Sequence, residues 1–254
     1  CSPHELYNLA AQSFVGASFD APISTGEVDA LATTRLLEII RSISPETRFY
    51  QASSSEVFGN ATDGSNKLGE STPMAPASPY AASKLYAQHI TNIYREAYNL
   101  FAVSGVLFNH ESPLRGLEFV TRKITNAAAQ IKLGLADNIG LGNVQSHRDW
   151  GYAREYVSAM WMMLQQDEPA DYVIATGESH SVAEFGRAAF GALDLDFDDY
   201  AGSDDAMLRP LDVNHLIGDS SKAAEALGWK HQVGFAELAK IMVEADLDRW
   251  KRHM

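Results

Sequence analysis

The segment SPYAASK, residues 78–84, sets the Tyr80 phenol and the Lys84 ammonium four positions apart. Ser78 suits the N-cap of a helix and Pro79 its first position, where the missing N–H costs nothing. Tyr80 and Lys84 then lie one turn apart on a single helix face. A free tyrosine, with a pKa of about 10, is a poor base at neutral pH. An ammonium about 4 Å away in a medium of effective dielectric about 20 attracts the phenolate by roughly 4 kcal/mol before desolvation, which predicts a pKa lowered by a few units. Such a pair can take a proton from a hydroxyl while hydride leaves the same carbon for a nicotinamide ring. On a solvated helix the same two residues are an ordinary surface face, so their context decides.

That context is the stretch RFYQASSSEVFG, residues 48–59. RFYQAS reads as a strand running into a polar tip. Ser53, Ser54 and Ser55 offer hydroxyls to the substrate oxygen that loses its proton, and Glu56 offers a carboxylate to a neighbouring carbon. SSSE also reads as a solvated turn or a helix cap, but Val57 and Phe58 follow at once and favour a turn facing a cleft. Strand, polar loop and helix form the order in which a doubly wound sheet delivers reactive groups to the carboxyl ends of its strands.

The elements that must position these groups alternate along the chain. ELYNLA near the start reads as a strand. Residues 28–43 form a predicted helix with Val28, Leu31, Ala32, Leu36, Ile39 and Ile40 on its apolar face and Arg35 and Glu38 between them. Further helices are predicted at 78–98, 119–133 and 153–166, with a strand at 100–108. Strand and helix taking turns imply an α/β, doubly wound parallel sheet. Beyond about Asn109 the pattern loosens into shorter pieces around IGLGN, YVIATG and VNHLIGD, which suggest a smaller C-terminal lobe closing over a ligand. The expected division is 1–108 as a partial dinucleotide-binding domain and 109–254 mainly as a substrate lobe, with some segments returning to the sheet.

Composition sets the outer limits. With 254 residues, 46% hydrophobic and 21% charged, the chain has the make-up of a soluble globular protein. No apolar run has bilayer length and no charged-then-apolar leader opens the sequence, so a cytoplasmic location and no membrane partner are expected. The lone Cys1 cannot close an internal disulfide, in keeping with a reducing compartment. A net charge of −13 argues against a nucleic-acid partner and says little about small anionic ligands.

Taken together, NLAAQSFVGASFDAP (8–22), FYQASSSEVFG (49–59), SPYAASKLYA (78–87), LFNHESPLRG (107–116), FVTRKIT (119–125), LGNVQSHRDWGYAREYV (141–157) and MWMMLQQ (160–166) resemble the extended short-chain dehydrogenase/reductases that modify nucleotide sugars, within them the GDP-mannose 4,6-dehydratase family. The resemblance runs over nearly the whole chain. It implies a Rossmann-like sheet, NADP as cofactor with NAD not excluded, no metal, GDP-mannose as substrate and a homo-oligomer, dimer or tetramer, at full length. By motif position it assigns catalysis to Ser54, Glu56, Tyr80 and Lys84. Cofactor contacts fall to Leu9, Ala10, Ala11, Gln12, Ser13, Lys84, His110 and Arg115. Substrate contacts fall to Asn109, Arg122, Lys123, Arg148 and Arg209.

The family's glycine-rich turn lies upstream of the stretch matching YNLAAQS, so the sequence is expected to be an N-terminally truncated fragment. Three departures stand out: Ser54 where relatives commonly carry threonine, Leu114 in place of the first arginine of SPRRG, and Ser24 where a tyrosine is frequent. A related epimerase or 4-ketoreductase would share Tyr80 and Lys84. A non-catalytic nucleotide-binding or redox-sensing protein on the same sheet is the other alternative, disfavoured by retention of all four reactive groups.

Overall fold

The computed structural model describes residues 3–60, 67–204 and 216–254. The chain begins with β1 (Glu5–Asn8), α1 (Val15–Asp20), α2 (Pro22–Gly26), a π-helical turn (Glu27–Leu31) and α3 (Ala32–Ile43). There follow β2 (Arg48–Ala52), a 3₁₀ turn (Ser55–Phe58), α4 (Pro79–Tyr98), β3 (Ala102–Leu107), β4 (Asn109–Glu111), α5 (Val120–Lys132) and β5 (Ile139–Leu141). Next come β6 (His147–Arg148), β7 (Trp150–Tyr152), α6 (Ala153–Leu164), β8 (Tyr172–Ile174), β9 (His180–Ser181) and α7 (Val182–Gly191). The remaining elements are α8 (Phe197–Tyr200), β10 (Ala201–Ser203), α9 (Ser221–Leu227) and α10 (Phe235–Lys251).

Four strands pair in the order β1-β2-β3-β8, every pair parallel, with Tyr50 opposite both Tyr7 and Val103. The α/β parallel architecture expected from the alternation is therefore present. Strand geometry sends successive side chains to opposite faces. Phe49 accordingly joins Leu37, Ile40 and Tyr94 from α3 and α4, while Tyr50 and Ala52 join Tyr156, Met160 and Met163 from α6. Helices cover both faces, so all six residues of β3 are buried and the strand shows no apolar–polar alternation. Gly105 within it is required by close approach: a Cβ there would lie 2.4 Å from the Tyr50 hydroxyl. Burying Phe49 or Phe58 contributes on the order of 3–5 kcal/mol each against truncation to alanine.

The helix expected at 78–98 forms as α4. Ser78 caps it by accepting the Ala81 N–H at 3.1 Å, Pro79 opens it, and Asn99 closes it in the left-handed region at φ 53°. The helix expected at 28–43 differs. Helical structure there starts at Pro22, and the π-turn at 27–31 adds a residue to one turn. Register rotates in consequence: Val28, Leu31 and Ile39 are exposed, whereas Asp29, Ala30, Thr33, Leu37 and Ile40 face inward.

After Asn109 the chain builds a second apolar cluster, in which α5, α7 and α10 close around Leu141, Trp150 and Phe185. In between, α6, β8 and α9 return to the sheet. Asp149 sits at the junction. Its fully buried carboxylate accepts from Thr176 N at 2.9 Å, Thr176 Oγ1 at 2.7 Å, Gly177 N at 2.8 Å and Gly218 N at 3.2 Å. Burial raises its pKa, and these four bonds pull it back. Asp149→Ala strands four donors, so a loss of about 3 kcal/mol is expected in urea denaturation, with Asp149→Asn losing less.

Candidate active site

The reactive residues meet at the carboxyl end of β2. Ser53 Oγ donates to Gln88 Oε1 at 2.7 Å, fastening the strand end to α4. One turn earlier on the helix, Lys84 is 3% exposed and its Nζ donates to the Ala52 carbonyl at 3.1 Å. The same carbonyl accepts Gln51 Nε2 at 3.0 Å, and Gln51 Oε1 takes bonds from Asn8 Nδ2 at 2.7 Å and Thr33 Oγ1 at 3.2 Å. Three elements thus fix the position of one ammonium.

Beyond Ala52 the backbone turns sharply. Ser54 caps the 3₁₀ turn by accepting the Glu56 N–H at 3.2 Å, and the turn ends at Gly59 with φ 57°, where a Cβ would meet the Ala75 carbonyl oxygen at 1.9 Å. This turn brings the Ser54 hydroxyl to the Tyr80 hydroxyl, with which it hydrogen-bonds, and sets the nearly buried Glu56 within electrostatic reach of the same phenol. Tyr80 is itself 8% exposed, and Lys84 Nζ lies 5.8 Å from its ring centroid. Ser54, Glu56, Tyr80 and Lys84 therefore gather at the carboxyl end of β2.

The electrostatics correct the expectation of an acidified phenol. Burial pushes Tyr80 up to about 12; the Ser54 bond and the Arg115 guanidinium pull down, while the Asp29 and Glu56 carboxylates push up. Lys84 is not among the groups that lower it. Burial drives Lys84 down to about 8, opposed by the Asp29 carboxylate. Desolvation outweighs the attraction between phenolate and ammonium, because both groups leave water and two carboxylates face the phenol.

Of the residues assigned to a dinucleotide, five follow the carboxyl end of β1 directly. Leu9, Ala10 and Ser13 are exposed and Ala11 and Gln12 half-buried, just past the carboxyl end of β1. Several buried acceptors there lack partners: Gln12 Oε1, Asp29 Oδ2 and, on β4, Asn109 Oδ1. Lys84 spends one of three N–H donors on Ala52. Small residues, orphaned acceptors and spare ammonium donors fit a ribose-bearing nicotinamide dinucleotide. His110 stacks on Tyr156 at 4.9 Å and is pushed down to about 4 by burial, so it is neutral at pH 7. Its Nδ1 lies 2.8 Å from the Phe108 carbonyl, which requires Nδ1–H and leaves Nε2 as acceptor. Arg115 rests 3.5 Å above the Phe119 ring and 3.3 Å from the buried Glu111, which Thr121 Oγ1 holds at 2.7 Å.

The cations assigned to the diphosphate divide. Lys123 Nζ donates to the Gly140 carbonyl at 2.7 Å and feels Asp204, and Arg148 Nη1 donates to the His147 carbonyl at 2.8 Å. Arg209 lies outside the described residues. Arg122 does not serve as expected. Its Nε sits 2.9 Å from both oxygens of Asp246, its Nη2 lies 2.8 Å from Oδ1, and its Nη1 donates at 2.8 Å to the carbonyls of Pro113 and Arg115. At 7% exposure this guanidinium is an internal strut that sets the 113–115 loop. Neighbouring helix residues point about 100° apart, so Arg122 turns inward as Lys123 reaches the rim.

Sequence reasoning missed Asp29, Gln51, Glu111 and Asp246. Acidic residues beside apolar ones on a helix read as solvent-facing, and only the π-turn brings Asp29 inside. The sole advance signal for Asp246 was its placement on an apolar-periodic C-terminal segment.

A parallel sheet with serine, tyrosine and lysine at the carboxyl end of its strands, and a chain that returns to the sheet after building a second apolar cluster, has the arrangement of an extended short-chain dehydrogenase/reductase. Solved structures agree on the fold. RMD from Pseudomonas aeruginosa complexed with NADPH superposes with a TM-score of 0.89 at 22% identity, covering 98% of this chain and 82% of that one. The Thermus thermophilus UDP-glucose 4-epimerase complex with NAD gives 0.83 at 26% identity, covering 96% and 78%. The chain belongs to the GDP-mannose 4,6-dehydratase family, whose profile matches residues 1–242. GDP-mannose 4,6 dehydratase 2 of Arabidopsis thaliana is 53% identical over 98% of this chain and 67% of its own length, and the human GDP-mannose 4,6 dehydratase 46% over 97% and 71%. Among the described residues no helix is long and apolar enough to cross a membrane.

The buried lysine carries a measurable consequence. In the unfolded chain Lys84 titrates near 10.5, in the folded chain near 8. Below pH 8 both states are protonated and the cost of burying the charge is present in full; between pH 8 and 10.5 the unfolded state binds more protons, so this contribution to stability rises with pH. Above pH 10 the unfolded Tyr80 ionises first and stability falls again. Lys84→Met is expected to be about 2 kcal/mol more stable than wild type at pH 7, after allowing for the lost Ala52 bond, with the gap closing by about pH 10. Thermal melts across this range, with cofactor absent, check it.

Proposed function

We propose that this chain carries the reactive centre of a GDP-mannose 4,6-dehydratase, converting GDP-mannose to GDP-4-keto-6-deoxymannose with a nicotinamide cofactor, NADP by preference. The observation that carries the reading is that Glu56, on the 3₁₀ turn after β2, lies within electrostatic reach of the phenol that Ser54 hydrogen-bonds. A 4-ketoreductase needs the tyrosine and lysine alone. Eliminating water requires a second base beside the first, and Glu56 supplies it.

A bound oxidised nicotinamide would supply the hydride chemistry at C4 and C6 and a positive charge that would favour a Tyr80 phenolate. Ser54 orients the C4 hydroxyl, and Tyr80 takes its proton. Lys84 holds ribose with the two N–H groups that Ala52 leaves unused. The resulting C4 ketone acidifies the C5 hydrogen. Glu56 removes that proton and passes it to the C6 hydroxyl, which departs as water, and C5 regains the proton that Tyr80 took at C4 at the end of the cycle. No external reductant is consumed. Membership of the family, shared motifs over nearly the whole chain, and solved fold relatives that bind NADPH or NAD support this reading. In the same reading the sheet carries the cofactor, while Asn109, Lys123 and Arg148 on the second lobe's side meet the nucleotide sugar, with charge-assisted bonds to the diphosphate.

Two experiments test it in the full-length, cofactor-loaded enzyme. Glu56→Gln should still reduce the cofactor on adding GDP-mannose, seen at 340 nm, yet release no 4-keto-6-deoxy product; normal turnover by that variant removes Glu56 from the scheme. Lys123→Ala should raise KM for GDP-mannose on the order of tenfold with kcat nearly unchanged, as loss of uniform binding demands. An unaltered KM places the diphosphate elsewhere.

A further inference from the structure

The charged group this scheme leaves unused is Asp29. It is 1% exposed and sits on the π-turn, whose extra residue directs it inward while Val28 and Leu31 on either side face solvent. Its Oδ1 accepts the Gln12 N–H at 2.7 Å, whereas Oδ2 is buried with no partner. A carboxylate taken from water and left half-satisfied is costly unless a counter-charge compensates it. The counter-charge that acts on it is Lys84, equally buried and donating to one carbonyl. π-turns recur at functional sites because they place one side chain where a regular helix would not.

We propose that Asp29 is a positioning residue for the reaction, the fixed negative charge that keeps Lys84 an ammonium in its buried place. The inference rests on the dehydratase reading only for its catalytic consequence. The groups around the pair are Tyr80 on the lysine's own helix, Asp29 from the π-turn, Glu56 from the 3₁₀ turn and Arg115 from the loop after β4. On the phenol the Asp29 and Glu56 carboxylates act with one sign and Arg115 with the other; on the lysine the charge that acts is Asp29. Without it, burial alone governs Lys84, which then gives up its proton at lower pH. A neutral amine makes no charge-assisted bonds to ribose.

The test reads the lysine directly. Chain labelled at lysine ¹³Cε is titrated by NMR without cofactor, the Lys84 resonance being the one absent from Lys84→Met. Asp29→Asn keeps the size and the acceptor for Gln12 while removing the charge, and should lower the Lys84 midpoint by about one pH unit or more. Asp29→Glu restores the charge and should hold the midpoint near its wild-type value. An unchanged midpoint in the asparagine variant overturns the proposal, as does a glutamate variant that titrates like the asparagine one. In the cofactor-loaded full-length enzyme the alkaline limb of the kcat profile should move down with the midpoint in Asp29→Asn; a limb that stays put overturns the catalytic role. Absence of dehydratase activity in wild type would refute the dehydratase reading, while the titration would still decide the role of Asp29.

Discussion

A buried ammonium held by one backbone carbonyl organises this molecule. For Lys84 to reach Ala52, α4 must cross the carboxyl end of β2 at a fixed height, and Ser53 and Gln88 hold it there. For Ala52 to present its oxygen, Gln51 must be pinned from β1 and α3 through Asn8 and Thr33. Those bonds presuppose the parallel order of the sheet, which the two apolar faces enforce by burying Phe49 on one side and Tyr50 on the other. The chain from residue pattern to reactive geometry is therefore short: strand alternation sets the sheet, and the sheet sets one carbonyl.

The field at the phenol is balanced against ionisation. Two carboxylates and low polarity oppose it, and a serine hydroxyl and one guanidinium favour it. Before ligands arrive the phenol holds its proton firmly, and the charge that tips the balance must come from what binds. A centre arranged in this way stays chemically quiet until the cofactor is in place, which suits a cycle in which the cofactor leaves as it entered.

The features legible in the sequence were those written in local codes. Ser78 and Pro79 marked the start of α4 because capping and the φ of proline are local, and the strand–helix alternation gave the parallel sheet because periodicity is local too. The π-turn escaped because an inserted residue shifts the period without leaving a compositional mark, and Asp29 escaped with it. Arg122 and Lys123 stand side by side in a motif that resembles a phosphate-binding stretch, yet one is an internal strut and the other reaches the rim. Their fates depend on Asp246, more than a hundred residues away. The lowered phenol pKa expected from spacing failed for a related reason: spacing reports which charges are near and says nothing of the water they have lost.

Asp246 draws together Arg122, Thr125 and Arg249, and both arginines grip the Pro113 carbonyl, at 2.8 Å and 3.1 Å. The loop carrying Arg115 is thus moored to α10, an element from the far end of the sequence. During synthesis the strands, α4 and the tyrosine–lysine pair can form before α10 is made, but the anchoring of the 113–115 loop waits for α10 to emerge. A nascent chain would hold its reactive groups together while that loop still lacks its mooring, which arrives only with translation of α10.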